Sequence, residues 1–154
     1  MLDSYRDLLD GLLESPTAVR ETLGDPLPET LSPGRLLLLA ELRAREAAML
    51  RRAQIMVRDA PHGTRPTLRA IEQEPEVKDV VTDPAAITES VEELFSGFSH
   101  DRSELVSILM NVTIREWEQP VDHHGKGETT LADEIEDHLT WDEEMVARMR
   151  DTDA

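Results

Sequence analysis

The chain has 154 residues, 33 Asp and Glu against 16 Lys and Arg, a formal net charge of -17 at pH 7 and no cysteine. That length, with 39% hydrophobic residues, suits one domain spanning residues 1–154 with a substantial core. The charge argues against an extended phosphate-binding face and so against a nucleic-acid partner, while the missing thiols exclude a disulfide framework, a thiolate nucleophile and a thiolate metal ligand.

The first helical pattern puts Leu2, Tyr5, Leu9, Leu12 and Leu13 on one face, with Asp3, Asp7 and Asp10 outside it. Ser15-Pro16 then offers a cap and a first-turn proline for a short separate piece, ended by Gly24, Pro26 and Pro28. Ser32-Pro33 repeats that start signal for a second long helix, Pro33 to about Arg58, with Leu38, Leu42, Met49, Ala53 and Met56 near one face and Pro61 and Gly63 closing it. The run Leu36 to Leu39 is too wide for one narrow stripe; either a second copy or the short segments before and after must cover it.

The connection from Ala60 to Thr82 is expected at the surface, with a short helix around Thr67 to Gln73. Asp83-Pro84 starts a third helix, sustained by Ile87, Val91, Leu94, Phe98, Leu105, Ile108 and Val112, with a break expected near Gly97. A loop from Pro120 to Gly127 holds His123 and His124. Thr130 with Asp133 resembles a capping box for the fourth helix, whose inner stripe reads Leu131, Ile135, Leu139, Met145 and Met149. No alternation of β-branched residues announces a sheet. The economical architecture is all-α, an up-down four-helix bundle with one long crossover. The longest apolar run, Leu36 to Ala40, spans no membrane and nothing resembles a secretory signal, so a cytoplasmic protein is expected. So acidic a balance also suits a salty cytoplasm.

Three segments carry a further pattern in order: Glu41-Leu42-Arg43-Ala44-Arg45-Glu46 on the second helix; Trp117, His123-His124, Gly125 or Gly127 and Thr130-Leu131 before the last; and Trp141-Asp142-Glu143-Glu144-Met145 within it. Over nearly the whole chain this resembles the DinB-like (DNA-damage-inducible) family, which commonly has HLxxxE and HDxxH at the first and last of these places. The resemblance implies a four-helix bundle, a homodimer and a three-histidine metal site, whose positions are here Glu41, Trp141 and Met145. An indole nitrogen only donates a hydrogen bond, and a thioether is a poor ligand for a hard or borderline cation. The thiol-dependent transfer and isomerisation chemistry inferred for the family is therefore not expected.

Two readings follow. In the first, Trp141 and Met145 fill the space of a lost metal, and the protein is a cofactor-free scaffold that binds a small molecule or a protein. In the second, the metal site has moved: His138 and Asp142, one turn apart, join Glu41 to offer one imidazole and two carboxylates to a divalent transition metal in a hydrolase or transferase. Of the remaining candidates, His123-His124 is either a polar loop or a metal-binding pair, and Arg43, Arg45, Arg51 and Arg52 either pair with the chain's own acids or meet an acidic partner. Ser99, His100 and Asp101 are sequence neighbours, which does not make a catalytic triad.

Overall fold

The computed structural model describes residues 3–59, 65–80 and 82–152. Among these residues the order is α1 (Asp3–Leu23), α2 (Pro33–Asp59), β1 (Thr67–Leu68), a 3-10 turn (Ile71–Gln73), α3 (Pro75–Lys78), a second 3-10 turn (Pro84–Ala86), α4 (Val91–Met110), α5 (Ile114–Glu118), β2 (Val121–His123), β3 (Gly127–Thr129) and α6 (Leu131–Asp151). The chain is mostly helical, as its apolar spacing predicts, and no described helix is long and apolar enough to cross a membrane.

The helix starts follow the capping chemistry, with two corrections. Ser32 accepts from the backbone N–H of Arg35 at 3.3 Å, and Thr130 accepts from that of Asp133 at 3.2 Å, opening α2 and α6 as expected. Asp83, however, caps only the second 3-10 turn. The long helix α4 begins at Ser90, whose hydroxyl accepts from the Glu93 N–H at 3.0 Å. The expected separate piece at Pro16 does not exist either: α1 runs unbroken through that proline. Pro61 and Gly63, the expected close of α2, lie outside the described residues.

α4 is also continuous across Gly97, where a break was expected. A side chain at 97 would meet Arg43 Nε at 2.7 Å, so the glycine leaves room for the Arg43 side chain to lie across α4. The short helix expected at Thr67 to Gln73 is instead β1 followed by a 3-10 turn, and the Pro120 to Gly127 loop is largely a hairpin. β1 pairs parallel to β2 with Leu68 opposite His123, and β2 pairs antiparallel to β3 with Val121 opposite Thr129. Arg65 ties this sheet from outside, donating to Asp122 at 2.9 Å and Glu128 at 3.2 Å. Strands of two or three residues are too short to show alternation in a sequence.

α1 packs against α4 and α6, and α2 packs against the same two helices. Their apolar faces form two clusters. One gathers Leu9, Leu12, Met49, Ala53, Leu105, Leu109 and Ile135; the other gathers Val19, Leu39, Leu42, Leu94, Phe98, Met145 and Met149. α1 and α6 therefore run from the first cluster to the second, and α2 and α4 run back, which leaves the long connection between α2 and α4 to cross over. Leu36, half-buried, packs against the second cluster, as do Leu27 and Leu31 from the segment before α2 and Ile87 from the segment before α4.

Candidate functional site

Between the two clusters the apolar stripe of each long helix is interrupted at the same level. The spacing of four and then three residues passes from Leu12 through Pro16 to Val19 in α1, from Leu42 through Glu46 to Met49 in α2, and from Phe98 through Arg102 to Leu105 in α4. In α6 it passes from Ile135 through His138 and Asp142 to Met145. Glu46, Arg102, His138 and Asp142 are all buried, Glu46 completely.

Arg102 is the hub. Its Nε donates to Glu46 Oε2 at 2.7 Å and its Nη2 to Glu46 Oε1 at 2.6 Å, a bidentate pair, while Nη2 also donates to Asp142 Oδ2 at 2.6 Å. Its Nη1 donates to the Leu12 carbonyl at 2.8 Å. That carbonyl would ordinarily accept from the N–H four residues on, but residue 16 is a proline without one. The proline thus frees an acceptor within α1, and the guanidinium of α4 takes it.

His138 Nε2 lies 2.9 Å from Glu46 Oε1. An ionised Glu46 only accepts, so this nitrogen carries the hydrogen, and its 3.4 Å approach to Arg102 Nη2 joins two donors rather than a donor and an acceptor. Burial alone would push Glu46 up; the nearby His138 and Arg102, by charge and hydrogen bonding, outweigh it and hold the carboxyl at about 2. Burial likewise works against the Arg102 charge, and Glu46 and Asp142 outweigh it, so its pKa rises. Asp142 Oδ1 has no hydrogen-bond partner among the described residues.

Glu46, His138 and Asp142 each offer a ligand atom within 4.8 Å of the others, one imidazole and two carboxylates, a donor set suited to a borderline or hard divalent cation. With Arg102 in place they do not fit a metal. Its guanidinium already bonds both carboxylates, and a metal ion between them would face that charge or expel it.

The structure therefore brings His138 and Asp142 together, as the relocated-site reading requires, but supplies Glu46 rather than Glu41 as the third member. Five residues turn a helix by about 140° beyond a full circle, so the two glutamates cannot share a face. Glu41 is half-buried and lines a different recess with Gly34, Leu37 and Arg148. Met145 is fully buried in the second cluster. Trp141 lies at the edge of that cluster, half-buried, with the Arg45 guanidinium 3.8 Å over its ring and the His138 ring 6.3 Å away and nearly parallel. Arg102 escaped the sequence reading. Its signal was the seven-residue gap between Phe98 and Leu105 in an otherwise regular stripe.

Beside this layer, between α2, the first 3-10 turn, the β2 to β3 turn and α6, lies a recess of about 290 Å³. Arg45, Arg52, His123, Glu134, His138 and Trp141 are among the residues that line it. Arg52 meets Glu134 at 3.4 Å; Lys126 reaches Glu134 at 3.5 Å and also Asp137. The four clustered arginines pair with the chain's own acids: Arg43 with Glu89, Arg45 with Glu72, Arg51 with Glu76 and Arg52 with Glu134. The adjacent histidines separate, His123 buried and His124 exposed, and His123 Nδ1 accepts from the backbone N–H of Gly125 at 3.0 Å and of Lys126 at 3.1 Å. Burial holds the His123 imidazole below its ordinary pKa.

No family model, no curated protein and no solved structure matches the chain.

Proposed function

We propose that the chain is a DinB-like four-helix bundle, built from α1, α2, α4 and α6 with the long crossover between α2 and α4, and that it acts as a metal-independent binding protein in the cytoplasm. The observation that carries this reading is Arg102 inside the Glu46, His138 and Asp142 group: a tethered cation sits where a metal's charge would be needed. The recess beside the layer gives a ligand a place to bind. The homodimer expectation rests on the resemblance and on the width of the Leu36 to Leu39 run.

The spacing of the three ligand atoms favours a second reading, a metal-dependent hydrolase or transferase in which Glu46 takes the part expected of Glu41 and Arg102 gives way. One experiment separates them. Elemental analysis of untagged protein after brief dialysis, followed by zinc and manganese titration, should give well under one transition metal per chain for the wild type and a new saturable site in Arg102→Met. Near-stoichiometric metal in the wild type would replace the first reading by the second.

A further inference from the structure

We infer that the recess between α2 and α6 binds the carboxylate of a small aliphatic acid through Arg45, Arg52 and His123. The inference deepens the reading of this protein as a metal-independent binding protein, and rests on it, by naming the chemical class of the ligand.

Hydrogen-bond accounting leads there. Arg45 Nε and Arg52 Nε are buried and make no hydrogen bond among the described residues, although the two side chains are only 5% and 4% exposed; Glu74 Oε1 stands 3.8 Å from Arg52 Nε, beyond hydrogen-bond distance. Buried N–H donors are ordinarily matched, so two unmatched ones on side chains that line a single recess mark an unmet hydrogen-bonding demand there. His123 adds a third donor. Because its Nδ1 accepts from two backbone N–H groups, the neutral ring carries its hydrogen on Nε2. A carboxylate supplies the acceptors that these donors lack.

The charges around the recess limit how much negative charge a ligand can carry, since three cations and four acids line it. At the recess the buried Arg45 and Arg52 face one buried acid, Glu134, which Lys126 also approaches, while Glu74, its side chain 15% exposed, lies 3.8 Å from Arg52 Nε. Arg45 forms its ion pair with Glu72, a pairing that solvent weakens because the Glu72 side chain is 63% exposed. Burial accordingly outweighs that pairing and lowers the Arg45 pKa. Nearer solvent, Lys126 pairs with Asp137, and the exposed Glu144 adds an acid that repels a dianion more strongly than a monoanion. Met49 and Ile71 supply apolar wall for a short alkyl chain. A monocarboxylic acid is thus preferred to inorganic phosphate, which offers the same oxygen acceptors at higher charge.

The test is a chemical-shift titration of nitrogen-15-labelled full-length protein with sodium propionate at pH 7, constant ionic strength and excess chelator, with metal content measured on the same sample. Expected are saturable shifts of the Arg45 and Arg52 Nε–H signals with one site per chain, and phosphate binding at least tenfold weaker. Arg45→Gln should weaken propionate at least tenfold. Thr140 is exposed at the same recess, so Thr140→Trp should block it without disturbing the core, which keeps the test valid if Arg45→Gln unfolds. Shifts that never saturate, binding indifferent to Thr140→Trp, or phosphate binding tighter than propionate would each overturn the inference. Failure in metal-free protein counts against the ligand assignment alone; stoichiometric metal surviving the chelator counts against the reading beneath it.

Discussion

Glu46 shows how a single side chain couples this core to pH. Its carboxyl is held at about 2, below its ordinary 4.5, so the folded chain binds fewer protons at this site than the unfolded chain. The stability it contributes is complete above about pH 4.5 and drains away as the pH falls towards 2. Urea unfolding of the wild type and Glu46→Gln between pH 7 and 2 should therefore differ most above pH 4.5 and converge in acid. A constant difference across that window would mean that the carboxylate is not ionised beside Arg102. The same scale explains the two residues that replace family ligands. Met145, flexible and wholly enclosed, joins the packing of the second cluster, while Trp141, half-buried, packs against its edge and stacks beneath Arg45.

At the scale of elements, local chemistry decides where helices begin, and the competition between Asp83 and Ser90 is the informative case. Both are N-cap residue types followed by helical spacing, but Asp83 caps a three-residue 3-10 turn and Ser90 a helix of 20 residues with Glu92 and Glu93 in its first turn. Ser90→Ala should cost about 1 kcal/mol, and Asp83→Ala clearly less, in paired thermal unfolding measurements. The reverse order would move the start of α4 back to Asp83. Pro16 illustrates the opposite relation, in which tertiary contact overrides a local stop signal. The lost helical hydrogen bond is compensated by Arg102 Nη1, and α1 continues to Leu23.

For the molecule as a whole, the charged layer is a seam between two apolar clusters that draws on all four long helices. Breaking such a seam and replacing it have opposite consequences. Arg102→Met alone leaves Glu46 and Asp142 buried without their cation and should cost about 3 to 5 kcal/mol; converting Glu46, Arg102, His138 and Asp142 together to well-packed apolar residues should recover that loss and can exceed wild-type stability by about 1 to 4 kcal/mol. Chemical denaturation of both variants checks the contrast. If the fourfold variant unfolds more easily than the single one, the layer carries the fold itself, and its function as a seam would have to be abandoned. The layer also aligns the helices, because each charged group finds its partner only when the four interruptions sit level.

By itself the sequence determined the helical character of the chain and two of the four long helix positions, α2 and α6, nearly to their ends. These follow from periodicity, caps and composition, which act between residues close in sequence. His138 and Asp142 were also legible as a pair, one turn apart on α6. Only the tertiary structure decided that Glu46 and not Glu41 completes their group, that Arg102 occupies its centre, and that segments of two and three residues join into a sheet. The reason is physical: a charged residue at helical spacing reads as a solvated face until an opposite charge, 56 residues away between Glu46 and Arg102, is brought within hydrogen-bond distance inside a region that excludes water.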